Sequence, residues 1–368
     1  MLNKFIILFG LIIALFANLC LGKTPTFWGL RDVGTGYYLD YPMCVSYDGS
    51  VVGGGSTSAN IWQNGFIKNL GLGSGSHARG ISANGSVVVG DSGSQAFRYE
   101  NGVTAVLGVL PGGTFSVALD VSSDGNIIVG SSSSSSGLQA FRWENNIMTG
   151  LGYLPGFTKE SRANAVSSDG TIVVGYSKSA GGEKRAFRWE NGVMTDIGCL
   201  SGGGYNVVAN AISADGLVIV GQSDSNSGLQ AFRWKDGVMV GLGFPPGCTS
   251  SEAYGVSYDG SIVVGGYYRQ NWQSFIWDER HGLRGLEYVL AMDYGVSVGA
   301  GNLEMATAIS DDGTTIVGTG DVPNGDYAVW IAVINPCSAE MTEDLNNDCT
   351  VNFKDFAIFS SHWLESSN

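Results

Sequence analysis

Residues 166–177 read Val-Ser-Ser-Asp-Gly-Thr-Ile-Val-Val-Gly-Tyr-Ser, and the chain repeats this sentence with small changes. The other copies are VSYDGSVVGG from Val45, ISANGSVVVG from Ile81, VSSDGNIIVG from Val121, ISADGLVIVG from Ile212, VSYDGSIVVG from Val256 and ISDDGTTIVG from Ile309. The turn glycines Gly49, Gly85, Gly125, Gly170, Gly216, Gly260 and Gly313 are therefore 36, 40, 45, 46, 44 and 53 residues apart. Self-similarity at that period marks a propeller or a solenoid.

Around Gly170 the repeat holds four short apolar segments, ANAVS, TIVVGYS, RAFRW and VMTDIG, each of strand length and rich in β-branched or aromatic residues. Asp169-Gly170 joins the first two and Asn191-Gly192 the last two, dipeptides suited to type I′ hairpin turns. Each repeat is thus expected to be a four-stranded sheet that cannot bury its faces alone, and seven of them around an axis give an all-β, seven-bladed β-propeller. Composition agrees: 56 glycines and few helix formers in 368 residues.

Ala precedes the Val or Ile of the first strand by three at Ala78, Ala118, Ala163, Ala209, Ala253 and Ala306, with Pro42 in repeat 1. Small residues there are expected where inner strands converge on the axis. The third strand recurs as AFRY from Ala96, AFRW from Ala140, Ala186 and Ala231, SFIW from Ser274 and AVW from Ala328. Its Phe and Trp share a face, expected to be core between blades. Arg98, Arg142, Arg188 and Arg233 between them are expected to pair with turn carboxylates such as Asp124, Asp169, Asp215 or Asp259. The seventh repeat lacks a fourth strand before Asn335-Pro336, and "WGLRDVG" from Trp28 is expected to supply it and remove an open edge.

The termini read differently. Lys4, an apolar run from Phe5 to Leu21, then Gly22 and Lys23 form a secretory signal pattern, with cleavage expected after Gly22. An uncleaved anchor is the alternative, the run being just long enough to span; a lipoprotein reading of Cys20 meets a bulky Leu19. No second span exists, so no membrane segment remains after cleavage. Residues 23–335 are the propeller and 336–368 a small C-terminal module. Export implies an oxidising compartment, in which Cys337–Cys349 and Cys199–Cys248 are the candidate disulfides and Cys44 is left as a buried thiol.

The order VSxDGxxVVG, AFRWENG, LGxLxGG resembles the HAF family of extracellular bacterial repeats, with Gln-Ala-Phe at Gln95, Gln139 and Gln230 in place of His-Ala-Phe. The resemblance covers Phe27 to Asn335 and implies a secreted or cell-surface repeat protein. In the tail, "DLNNDCTVNFKD" from Asp344 looks like the EF-hand-like calcium loop of a type I dockerin. That resemblance implies calcium on Asp344, Asn346, Asp348, Asn352 and Asp355, with a carbonyl from Thr350, and a cohesin-like or cell-surface protein partner. Cys349 stands at the usual turn glycine and only one loop is present. After it, Phe353, Phe356, Ala357, Ser360, Trp363 and Leu364 share one helical face.

A formal charge of −14, with 19 Lys and Arg, argues against a nucleic-acid partner. The residues just before the inner Val or Ile are Cys44, Gly80, Asp120, Ala165, Ala211, Gly255 and Ala308, which offer one carboxylate and no acid/base pair. His77, His281 and His362 have no metal-ligand spacing. The variable loops carry Tyr267, Tyr268, Arg269 and Trp272, with Tyr288 and Tyr294 in the long sixth-to-seventh connection, as candidates for stacking on sugars or anchoring a protein. The expected function is a secreted, non-catalytic binding or scaffold propeller, displayed or docked through its tail in a polysaccharide-handling system. The alternative is an extracellular glycoside hydrolase or lyase on the same scaffold.

Overall fold

The computed structural model describes residues 26–30, 42–55, 57–157, 160–204, 206–299, 302–321 and 327–334. Repeats 1 to 6 are each one antiparallel four-stranded meander, and repeat 7 also lies in a four-stranded sheet. Five stand as separate four-stranded sheets, and those of repeats 3 and 4 join through a single parallel pairing of Leu138 with Glu160. In repeat 7 the fourth strand comes from the other end of the chain: Thr26–Leu30 lies beside Tyr327–Val333. The helix Leu286–Met292 interrupts the connection from repeat 6 to repeat 7. Backbone contacts divide the chain into Phe27–Ala332, which carries the meanders, and a second unit formed by residues 1–26 and 333–368.

The repeated Ser-x-Asp-Gly has a local cause. The Ser167 hydroxyl donates to Asp169 (2.6 Å) and accepts the N–H of Ile172 (3.0 Å), while Asp169 also accepts the N–H of Thr171 (3.0 Å). The same three bonds recur at Ser46, Ser82, Ser122, Ser213, Ser257 and Ser310, with Asn84 as acceptor in repeat 2. These turns differ from the expected type I′. Only the glycine has positive φ (73° at Gly170), because the aspartate is held by its own side-chain bonds in a right-handed turn. Asn191-Gly192, with φ of 50° and 83°, does have the type I′ pattern.

These turns also link the repeats. Tyr47 N–H bonds to Ala83 O, Ala83 to Ser123, Ser123 to Ser168, Ser168 to Ala214, Asp215 to Tyr258 and Tyr258 to Asp311, at 2.9–3.3 Å, and Asp312 returns to Tyr47 at 3.1 Å. The circuit closes on itself, as a propeller requires.

The core lies in the seams between repeats. Phe97, Phe141, Phe187, Phe232 and Phe275 are fully buried, each against the preceding repeat, as in the cluster of Phe232 with Val174 and Ala186. Burying each of these rings contributes on the order of 2–3 kcal/mol. Five alanines of the first strands, Ala78, Ala118, Ala163, Ala209 and Ala253, are fully buried in these seams and not on the axis, and Ala306 is fully buried too. Their smallness answers to the neighbouring sheet.

The arginines also depart from expectation. Arg98, Arg142 and Arg188 pair with Glu100, Glu144 and Glu190, two residues along the same strand, at 2.7–2.8 Å. Arg98, Arg142 and Arg233 reach the carbonyls of Gly125, Gly170 and Gly260 in the next repeat, and Arg233 also lies 5.7 Å from the Trp277 ring. The turn carboxylates are already occupied by serine and backbone donors, so the arginine takes the glycine carbonyl beside them.

Candidate functional site

All seven first strands slip register at an equivalent place, skipping Met43, Arg79, Leu119, Asn164, Asn210, Tyr254 and Thr307, and that of repeat 7 slips a second time at Glu304. A bulge re-aims a side chain. Here every residue skipped at the equivalent place lines a central cavity of about 190 Å³, joined by its successor in every repeat but the second. Sequence reading, which assumed strict alternation, found Cys44 and Asp120 but missed Arg79, Asn164, Asn210 and Tyr254.

Several of these polar groups tie one repeat to the next. Asp120 accepts the N–H of Val121 (2.8 Å) and, from the following repeat, of Val166 (2.9 Å). Asn164 donates to Ala209 O and Asn210 to Ala253 O, both at 2.8 Å. Burial pushes the Asp120 carboxyl up to about 7, against those hydrogen bonds, and the nearby Asp311 charge adds to the rise. Asp311, also in the cavity wall, is pushed up to about 6 by burial and by Asp312. Burial, with the charge of Asp120, raises the free, buried thiol of Cys44.

Further along the same strands a charged group accompanies every second repeat. Arg79 and His77 share Asp91, the histidine at 2.9 Å. Tyr176 donates to Glu160 (2.6 Å), which also lies 3.5 Å from Lys178. Tyr254 donates to Glu252. Burial and Glu160 push Tyr176 up to about 12, and burial leads the rise of Tyr254. Arg162 has a buried, unpartnered Nε, and its charge is disfavoured by burial and by Arg79.

The six loop candidates do not form one surface. Tyr268 and Arg269 are exposed, and Tyr268 meets half-buried Trp272 edge-on with ring centroids 5.6 Å apart. Tyr267 is core: it is 9% exposed, packs with Phe275 and donates to Gln273 Oε1 at 2.6 Å. Strand alternation sends it inward while Tyr268 points out. Tyr294 is half-buried, and burial pushes its phenol up to about 12. Tyr288, 60% exposed, borders a second cavity of about 310 Å³ beside the helix, together with Tyr267, Gln273, Ser274, Glu287 and Asn302.

Cys199 and Cys248 are free thiols, not a disulfide. Each packs onto a different seam, Cys199 between repeats 4 and 5 and Cys248 between repeats 5 and 6. Residues 1–22, the calcium-loop residues Asp344, Asn346, Asp348, Thr350, Asn352 and Asp355, the helix after them and the Cys337–Cys349 pair lie outside the described residues. Among the described residues no cluster of three His, Cys, Asp or Glu is arranged to hold a metal, and no helix is long and apolar enough to cross a membrane.

No protein-family model matches the chain, and no curated protein matches it in sequence. Solved structures do. An oligogalacturonate lyase in complex with manganese superposes with a TM-score of 0.53 at 14% identity, covering 84% of this chain and 96% of that one. A TolB protein from Agrobacterium tumefaciens gives a TM-score of 0.45 at 14% identity, covering 73% and 94%. At such identities the likeness is one of architecture, and what this chain shares with the lyase is the β-propeller fold.

Proposed function

We propose that this chain is a secreted, non-catalytic binding propeller, displayed at the bacterial surface or docked through its C-terminal calcium module in a polysaccharide-handling system. The observation that carries the reading is the internal use of the polar groups on and beside the axis. Asp120, Asn164 and Asn210 bond to backbone of the next repeat, and Asp91, Glu160 and Glu252 are engaged by side chains of their own repeats. Groups spent on holding the ring are poorly placed to converge on a scissile bond. The exposed aromatic Tyr268 and half-buried Trp272 instead face each other at the ends of the second and third strands of repeat 6, where the hairpin turns.

The docking half of the proposal rests on the dockerin-like loop from Asp344. Titrating calcium into the full chain should give one site, and Asp344→Ala or Asp355→Ala should abolish its heat. Capture by a cohesin should require the same residues. Absence of calcium-dependent heat with the thiols oxidised would remove this half.

A second reading, a carbohydrate-active enzyme, is favoured by Asp120 and Asp311, two carboxyls in one cavity held near neutral pH. Turnover of a polysaccharide panel that Asp120→Asn and Asp311→Asn both abolish would establish it over the binding role.

A further inference from the structure

We infer that the cavity beside the helix Leu286–Met292 is a subsite for a neutral polyhydroxylated ring, a single sugar residue. The inference rests on the binding-module reading and gives it a location. Its starting point is Ser274, 2% exposed and bordering the cavity, whose hydroxyl has no hydrogen-bond partner. At the same place in the third strand, repeats 1 to 5 carry Ala59, Ala96, Ala140, Ala186 and Ala231, all fully buried. A buried hydroxyl left unpaired gives up its hydrogen bonds to water with nothing in exchange, a cost to the fold. Repeat 6 carries that cost where the other repeats avoid it.

The seam differs on its other side as well. In four seams the first strand of the following repeat sets a serine against this position: Ser76, Ser116, Ser161 and Ser251 accept the N–H of Ala59, Ala96, Ala140 and Ala231 at 2.9–3.0 Å. Repeat 7 has Leu303 there, paired with Gly320, and the space beside it is the cavity.

The remaining wall defines the ligand. Gln273 and Asn302 bring amides and Glu287 a carboxylate, so donors and acceptors of both kinds face a ligand whose hydroxyls both give and accept. Tyr288 offers an exposed ring at the edge, suited to the apolar face of a sugar. Among the described residues no Lys or Arg lines the cavity, so an anionic sugar meets Glu287 and no counter-charge from them. The volume, about 310 Å³, lies at the small end of ligand pockets and suits one ring, not a chain.

The test uses the full chain and ligand-observed NMR with glucose, galactose, mannose, xylose and cellobiose, and galacturonate as the anionic counterpart. At least one neutral sugar should bind, with a Kd on the order of millimolar, and galacturonate at least tenfold more weakly. Ser274→Ala and Tyr288→Ala should each weaken binding at least tenfold. Without sugar, Ser274→Ala should melt at the same temperature as the parent or higher, because the repeat's own alanine is restored. Failure of every neutral sugar to bind, preference for galacturonate, or binding that survives both substitutions would overturn the assignment. So would a lower melting temperature for sugar-free Ser274→Ala, which would mean that the hydroxyl is bonded within the fold. Polysaccharide turnover by the same protein would count against the non-catalytic reading alone and leave the subsite standing.

Discussion

Ser167 shows how much one residue of the repeat does: its hydroxyl both fixes Asp169 and receives the Ile172 N–H that starts the second strand. Replacing it with Ala leaves a buried N–H unpaired, and should cost about 1–3 kcal/mol in denaturant unfolding. Gly170→Ala should cost more, because its φ of 73° disfavours any side chain and the new Cβ would overlap Ile127 of the preceding repeat. Asp120 and Asp311 make a prediction about pH. Their carboxyls are raised to about 7 and about 6 in the fold, whereas the unfolded chain releases those protons near pH ~4. Between these values the folded state binds more protons, so their contribution to stability falls as pH rises from about 4 toward 7. Asp120→Asn should flatten the upper part of that decline in melting temperature measured against pH. An unchanged slope would mean that Asp120 is ionised throughout.

At the scale of the element, the two hairpins of a repeat are built by different chemistry. The first relies on serine and aspartate side chains. In repeats 2, 4 and 5 the second relies on backbone alone, with Asn101-Gly102, Asn191-Gly192 and Asp236-Gly237 each holding φ near 50° and then above 80°. Asn191→Ala should therefore cost about 1–2 kcal/mol through left-handed strain without disturbing any core contact. A substitution that leaves the unfolding midpoint in place would show that the strand pairing, not the turn, sets this hairpin. Both turn dipeptides were legible in the sequence. Their difference in turn type was not, because Asp169-Gly170 resembles Asn191-Gly192 until the Ser167 hydroxyl is placed against it.

For the molecule as a whole, stability is shared along a closed circuit of seams, and its weakest point should be repeat 7, whose sheet joins two stretches far apart in sequence. Deleting residues 26–30 would strip the outer strand from repeat 7 and expose Tyr327–Val333 as an edge. The melting temperature should fall by on the order of 10 °C and the protein should tend to associate, measured by calorimetry and light scattering. Parent-like melting would show that the sheet does not depend on that strand. By itself the sequence determined the repeat, the four strands in each, their order and the all-β architecture. These follow from periodicity and turn chemistry between residues a few places apart, which a single copy states and the others restate. Only the tertiary structure decided which side chains reach the axis, since the bulge at Arg79 and its counterparts breaks the alternation that sequence reading must assume. It also decided that Tyr267 is core, that Arg98 bonds a turn glycine and not its aspartate, and that Ser274 opens onto a cavity. Each of those outcomes depends on a neighbouring repeat or on the long connection into repeat 7, and no pattern within one copy records what the next will bring against it.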